Sequence, residues 1–173
     1  MNGSLNFLKG EKPTLEDFEN HLGTIFTEIR LKQVIEFRSL DTCNYGCICN
    51  GPSFFTGLIY GSLNETCEII KSWKKEEVME AYLNAHKQGL NTLLNNKTLF
   101  DWGKIFLDLS KKGLEKRNEL NKSGKNETIY LKHIEEIIES KKTRAEMLIE
   151  QFKKTKNLNF LVNYDENFSY SGF

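Results

Sequence analysis

The stretch EIRLKQVIEFRSLD, Glu28–Asp41, decides how this sequence is read. Glu28, Arg30, Lys32, Glu36 and Arg38 stand on alternate positions, while Ile29, Leu31, Ile35 and Phe37 fill most of the positions between. A period of two separates two faces of an extended chain, so the run predicts a strand over 28–38 with one apolar and one charged face. Gln33 and Val34 are the two exceptions to the alternation. The ordinary account of such a face is a solvated side of an antiparallel sheet, where opposite charges stabilise their neighbours modestly. The functional account is the floor of an anionic-substrate site: a rigid strand can aim a carboxylate at a divalent metal and, two residues on, a guanidinium at a phosphate.

Residue choice sharpens the second account. The chain carries its positive charge mainly on lysine and has only four arginines, Arg30, Arg38, Arg117 and Arg144, two of them in this run. Arginine offers a planar fork that fits carboxylate or phosphate, which lysine does not.

Working outward, the chain of 173 residues is 39% apolar and 12% aromatic, enough for one compact domain. Its 24 basic and 24 acidic residues cancel, which excludes an overall field for nucleic acid or an anionic membrane as partner. No apolar run is long enough to span a bilayer, and the opening MNGSLNFLKGEKPT lacks a charged segment followed by an apolar one, so the expected location is cytoplasmic. Cys43, Cys47, Cys49 and Cys67 lack paired C-x-x-C spacing, so free thiols are expected, with a metal or thiol role for the first three as the alternative.

Thr14 opens an amphipathic helix over 14–26, in which Leu15, Phe18, Leu22, Ile25 and Phe26 recur at helical spacing. After the turn-rich DTCNYGCICNG, Asp41–Gly51, residues 52–154 read as mainly helices. Gly89 is the expected C-cap of one; Leu99, Trp102, Ile105, Phe106, Leu109 and Gly113 stripe another. Thr143 and Glu146 have the spacing of a capping box at the start of the last. The tail after Lys156 is expected as an arm on the helices. His21, His86 and His133 each stand alone in helical stretches and read as surface or satisfied core residues.

The fold class is therefore α+β: a mostly helical layer, in one domain, packed on a strand of an antiparallel sheet. One strand is a poor basis for a sheet, and its backbone groups need partners. Either the strand assignment fails, or the chain dimerises through it, or the partner strands lie outside this chain.

PTLEDFENHLGTIFTEIRLKQVIEFRSLD, Pro13–Asp41, resembles the segment of plant and proteobacterial glutamate–cysteine ligases that runs from a helix into a core strand. Arg30-Leu31-Lys32 and Glu36-Phe37-Arg38 with Asp41 occupy the places of that family's Arg-Leu-Lys triplet, Glu-x-Arg and following acidic residue. The similarity continues through GPSFFTGLIYG, KKGLEKR and KKTRAEMLIEQF. Thr27 stands where proline is common, Phe55 where tryptophan is usual, and Ser39-Leu40 where the family has Gly-Ala. Family members are considerably longer, and their earlier half supplies most metal ligands, nucleotide contacts and sheet strands, so the resemblance implies that this chain is the carboxy-terminal part of a larger ligase domain and that the other strands of its sheet are missing from it.

The resemblance implies an ATP-dependent ligase that joins the glutamate γ-carboxylate to the cysteine amine through a γ-glutamyl phosphate, the first step of glutathione biosynthesis, with Mg2+ as cofactor. By position in the motif, Glu36 is the implied magnesium ligand and Arg38 the implied catalytic phosphate and nucleotide contact. Arg30 and Lys32 are implied contacts for substrate carboxylate or phosphate, and Asp41 fixes the strand-end turn. The implied partners are glutamate, cysteine and ATP, together with a separate amino-terminal ligase half or a homodimer partner. The alternative from another class is a non-catalytic helical interaction module related to the ligase.

Overall fold

The computed structural model describes residues 10–31, 33–40 and 45–159, and the chain divides into two compact units, residues 1–42 and 43–173. In the first, Thr14 caps helix α1, Leu15–Gly23. The Thr14 hydroxyl accepts from the Asp17 N–H at 3.2 Å and the Asp17 carboxylate accepts from the Thr14 N–H at 2.8 Å, so two otherwise orphaned donors are satisfied reciprocally. The helix stops at Gly23, short of the expected residue 26, and Ile25–Thr27 lead into a hairpin. No residue of α1 is buried.

The expected strand over 28–38 is two strands, β1 (Ile29–Leu31) and β2 (Ile35–Phe37), paired antiparallel with each other. The register matches Ile29 with Phe37, Arg30 with Glu36 and Leu31 with Ile35. The Arg38 N–H donates to the Glu28 carbonyl at 2.9 Å and extends the ladder by one pair. The chain reverses where Gln33 and Val34 break the alternation, so the irregularity in the sequence is the turn itself. Each strand supplies the hydrogen-bond partner that a lone strand lacks.

The second unit is helical. A 3-10 turn, Tyr45–Cys47, precedes α2 (Asn50–Thr56), which continues into a π-helical turn, Gly57–Gly61. Then come α3 (Leu63–Lys71) and α4 (Lys75–Gln88), with Gly89 at the expected C-cap in positive φ. The two-residue strands β3 (Leu93–Leu94) and β4 (Lys97–Thr98) form a hairpin that the sequence reading takes as helical. Its corner residues, Asn95 and Asn96, both have positive φ, the conformation that Asn tolerates and that a tight hairpin needs.

Helix α5 (Leu99–Arg117) runs through the middle, capped by Thr98 and Asp101, and is followed by a 3-10 helix (Glu127–Leu131), α6 (Lys132–Ser140) and α7 (Arg144–Thr155). Thr143 and Glu146 form the expected capping box. The tail from residue 160 onward, expected as an arm, lies outside the described residues.

Two apolar clusters meet α5. Ala81, Leu94 and Trp102 pack with Trp73 and Phe106, and the Trp102 indole N–H donates to the Leu94 carbonyl at 2.8 Å, tying the small hairpin to the helix. Leu107, Leu114 and Leu131 pack with Phe54, Ile134 and Ile138. Between them the π turn crosses α5 at backbone contact: a Cβ on Gly113 would overlap the Gly57 carbonyl, and one on Gly61 would overlap Gly113 itself. The hydroxyls of Ser110 and Ser62 donate to the carbonyls of Phe54 and Leu109, each at 2.9 Å, closing the polar side of this crossing.

Two outcomes follow for stability. Gly113→Ala forces backbone apart and is expected to cost toward the upper end of the ~1–3 kcal/mol typical of overpacking, measured by urea unfolding. The Asp101 carboxyl is held below its ordinary value, first by the Thr98 hydroxyl and then by the Thr98 backbone N–H. A carboxyl depressed on folding contributes stability above its unfolded pKa that is lost as pH falls through the folded one. The unfolding midpoint should therefore drop more steeply with acidification below about pH 4 in the wild type than in Asp101→Asn, as read by circular dichroism.

Candidate functional site

Side chains alternate along each strand of the first hairpin, and directly opposed residues share a face. Because Arg30 opposes Glu36 and the Arg38 N–H bonds Glu28, the register gathers Glu28, Arg30, Glu36 and Arg38 on one face and sends Ile29, Ile35 and Phe37 to the other. The two faces expected from the alternation are present, on a folded ribbon and not on one extended strand.

The centre of the charged face is an ion pair. Arg30 Nε and Nη2 each lie 2.7 Å from Glu36 Oε2, and Arg30 Nη1 donates to the Gly23 carbonyl at 2.6 Å. That carbonyl belongs to the C-terminal end of α1, where unsatisfied carbonyls carry partial negative charge and favour a cation. The Arg30 side chain is 17% exposed and that of Glu36 40%, so the guanidinium is the enclosed partner and the carboxylate the accessible one. A pair this open to water is worth on the order of 1 kcal/mol or less. Its consequence is orientation, since one guanidinium fixes a carboxylate and a helix end together.

Arg38 is treated differently. Its guanidinium carbon lies 4.7 Å from the centroid of the Phe26 ring, a cation–π contact supplied by the segment between α1 and β1. The hairpin thus brings together Arg30, Glu36 and Arg38 of the expected site. Lys32 and Asp41 fall outside the described residues. The Arg30–Glu36 pairing itself was not read from the sequence. The available signal was the break at Gln33–Val34, which places residues six apart directly across from each other.

Among the described residues no group of three or more His, Cys, Asp and Glu lies together as a metal centre. Magnesium is commonly held by one or two carboxylates with substrate phosphates and water completing its shell, and the accessible Glu36 carboxylate fits that limited role. The cysteine loop departs from expectation at one position: Cys47 is disulfide-bonded, whereas Cys49 and Cys67 are free thiols. Cys43 is outside the described residues.

In the helical unit, His133 is buried and its Nδ1 lies 2.8 Å from Glu136 Oε2, the satisfied histidine expected. A groove of about 310 Å3 lies between α4 and the β3–β4 hairpin, lined by Glu77, Glu80, Asn84, Gln88 and Asn96 among others. Its carboxylates and amides, with no lining cation, do not suit a phosphate.

Comparison with known proteins gives the family. The family model described as glutamate-cysteine ligase family 2 (GCS2) matches residues 5–163. The chain belongs to that family. It is 36% identical over 154 residues to the chloroplastic glutamate–cysteine ligase of Solanum lycopersicum, covering 88% of this chain and 28% of the relative. It is 36% identical over 155 residues to chloroplastic glutamate–cysteine ligase A of Oryza sativa subsp. indica, covering 88% and 30%. The Arabidopsis thaliana ligase is 34% identical over 152 residues, covering 87% and 28%. The chain spans less than a third of the length of these relatives.

The family resemblance read from residues 13–41 and the blocks after them is confirmed by these matches, and the α+β class by the structure. The cytoplasmic expectation is overturned, because these relatives are all named as chloroplastic. Its basis was the character of the opening residues, and those carry no compartment information in a chain that matches so small a share of its relatives. No helix among the described residues is long and apolar enough to cross a membrane.

Proposed function

We propose that this chain supplies the charged hairpin and the helical layer of an ATP-dependent glutamate–cysteine ligase. The observation that carries the reading is the register of β1 and β2, which collects the Glu-x-Arg of the family motif, Glu36 and Arg38, with Arg30 and Glu28 on one face. Membership of the ligase family supports the reaction class.

In this reading a γ-carboxylate oxygen of glutamate attacks the terminal phosphorus of ATP, the bond to the bridging oxygen breaks, and ADP leaves. The neutral amine of cysteine then attacks the acyl carbon of the γ-glutamyl phosphate. The carbon–oxygen bond to phosphate breaks, the amine loses a proton, and inorganic phosphate departs. Both steps gather negative charge on phosphoryl oxygens, so cations aimed at that region lower the barrier. Arg38 is the residue proposed to contact the transferred phosphate. Its contact with the Phe26 ring restrains the guanidinium, a group whose fork geometry suits oxyanions.

Glu36 is the proposed magnesium ligand; the metal, when bound, would offset phosphate charge and orient the phosphoryl group. Lys32, on the same motif, is the proposed contact for substrate carboxylate or phosphate. Further ligands and nucleotide contacts come from the part of the family's length that this chain does not match.

Release of ADP dependent on glutamate, cysteine, ATP and Mg2+ tests this reading, using the chain alone and with the amino-terminal portion of a relative added. Activity in the mixture is expected, with Glu36→Gln and Arg38→Met each lowering it about 100-fold or more, the scale of losing a group that stabilises transition-state charge. No ADP release from folded protein in either setting would replace the ligase reading with the helical interaction module.

A further inference from the structure

We propose that Arg30 is a positioning residue, acting through Glu36 to aim its carboxylate, and that it does not itself contact substrate. The inference rests on the ligase reading of the hairpin face and goes beyond it by assigning Arg30 a different task from the substrate contact implied by the family motif.

Three observations carry it. All three guanidinium nitrogens are engaged within the chain: Nε and Nη2 at Glu36 Oε2, both at 2.7 Å, and Nη1 at the Gly23 carbonyl, at 2.6 Å. Three of its five N–H donors are committed in this way, which leaves a substrate carboxylate no complete fork to meet. Exposure runs the same way, since the Arg30 side chain is 17% exposed against 40% for Glu36. Finally, Arg30 joins two elements that are small in themselves. No residue of α1 is buried, and the hairpin has three residues in each strand, a size that is marginal without added contacts. Arg30 binds the C-terminal end of α1 and the far strand of the hairpin simultaneously, which a single flexible ammonium cannot reproduce with the same planar geometry.

A guanidinium seated on Oε2 sets the direction in which the Glu36 carboxylate is presented. The pair therefore behaves as an aimed carboxylate and its mount. In this arrangement Arg38 is the cation of the face that meets phosphate, and Arg30 is the cation that keeps the neighbouring acid in place.

The test follows the Arg30 Nε–H by NMR in the full chain labelled with 15N-arginine, and adds kinetics in the mixture with the amino-terminal portion of a relative. The Arg30 Nε–H is expected to exchange with solvent about tenfold or more slowly than that of Arg38, as a charge-assisted hydrogen bond implies. Glu36→Gln should shift this resonance and remove most of the protection. Mn2+ with ATP should broaden it, through a paramagnetic ion at Glu36. In the active mixture Arg30→Gln should lower kcat tenfold or more while the KM for glutamate stays within about twofold, and Arg30→Lys should recover little. The double variant Arg30→Gln/Glu36→Gln should be no slower than Glu36→Gln alone, because both act through one carboxylate.

Two results overturn different things. If Glu36→Gln leaves the Arg30 resonance and its exchange unchanged, or if Arg30→Gln raises the glutamate KM tenfold with kcat intact, Arg30 is not a positioning residue. If the resonance follows Glu36→Gln but Mn2+ with ATP broadens neither residue, the mount stands and the assignment of Glu36 as metal ligand falls.

Discussion

Backbone contact between the Gly57–Gly61 turn and α5 is the constraint on which the helical unit depends. At this crossing there is no room for a Cβ on Gly113 or Gly61, and close packing of two helices at such a distance leaves side chains to fill only the flanks. The flanks are filled accordingly. On one side Trp73 meets Trp102 and Phe106 edge to face, with the Trp73 and Trp102 ring centroids 5.0 Å apart. On the other, fully buried Leu114 and Leu131 stack with Phe54. The π turn fits the same constraint, because an extra residue in one turn of α2 brings Gly57 and Gly61 over α5 while Ser62 and Ser110 satisfy the carbonyls beside the contact.

The hairpin unit is held by a different kind of interaction. Its helix buries nothing and its strands are short, so orientation comes from directed polar contacts: the Thr14–Asp17 capping box, the Arg30 contacts to Gly23 and Glu36, and the Glu28–Arg38 backbone bond. Each is worth little in free energy beside apolar burial. What they supply is direction, and direction is what a charged face needs if it is to meet a phosphoryl group.

Local signals were legible in the sequence. Gly89 as a C-cap, Thr143 with Glu146 as a capping box, and the extent of α5 follow from backbone chemistry within one turn. The first hairpin was readable as two faces but not as two strands, because a three-residue reversal disturbs the alternation at only two positions. The second hairpin was hidden for a similar reason: strands of two residues have no period, and only the Asn95-Asn96 pair marks the turn. The single apolar stripe read along α5 omits Leu107, Ser110 and Leu114. A helix enclosed on two sides needs a second stripe, and Gly103 and Ser110 interrupt that one with small residues that packing favours and hydropathy does not register. Of the site, the sequence displayed the charged residues of one face, and the pairing among them required the register.

That pairing also accounts for arginine at both positions in a chain that otherwise prefers lysine. Arg30 spends its fork on two acceptors held in fixed directions, Glu36 and the Gly23 carbonyl. Arg38 lies over the Phe26 ring, 4.7 Å from its centroid, a contact that the delocalised guanidinium favours. Lysine has neither a fork nor a plane, so it could serve neither position as well. One chemical class of side chain, placed twice on one face by an antiparallel register, is thus held in two ways: Arg30 by hydrogen bonds to an acid and a helix end, and Arg38 by the face of an aromatic ring.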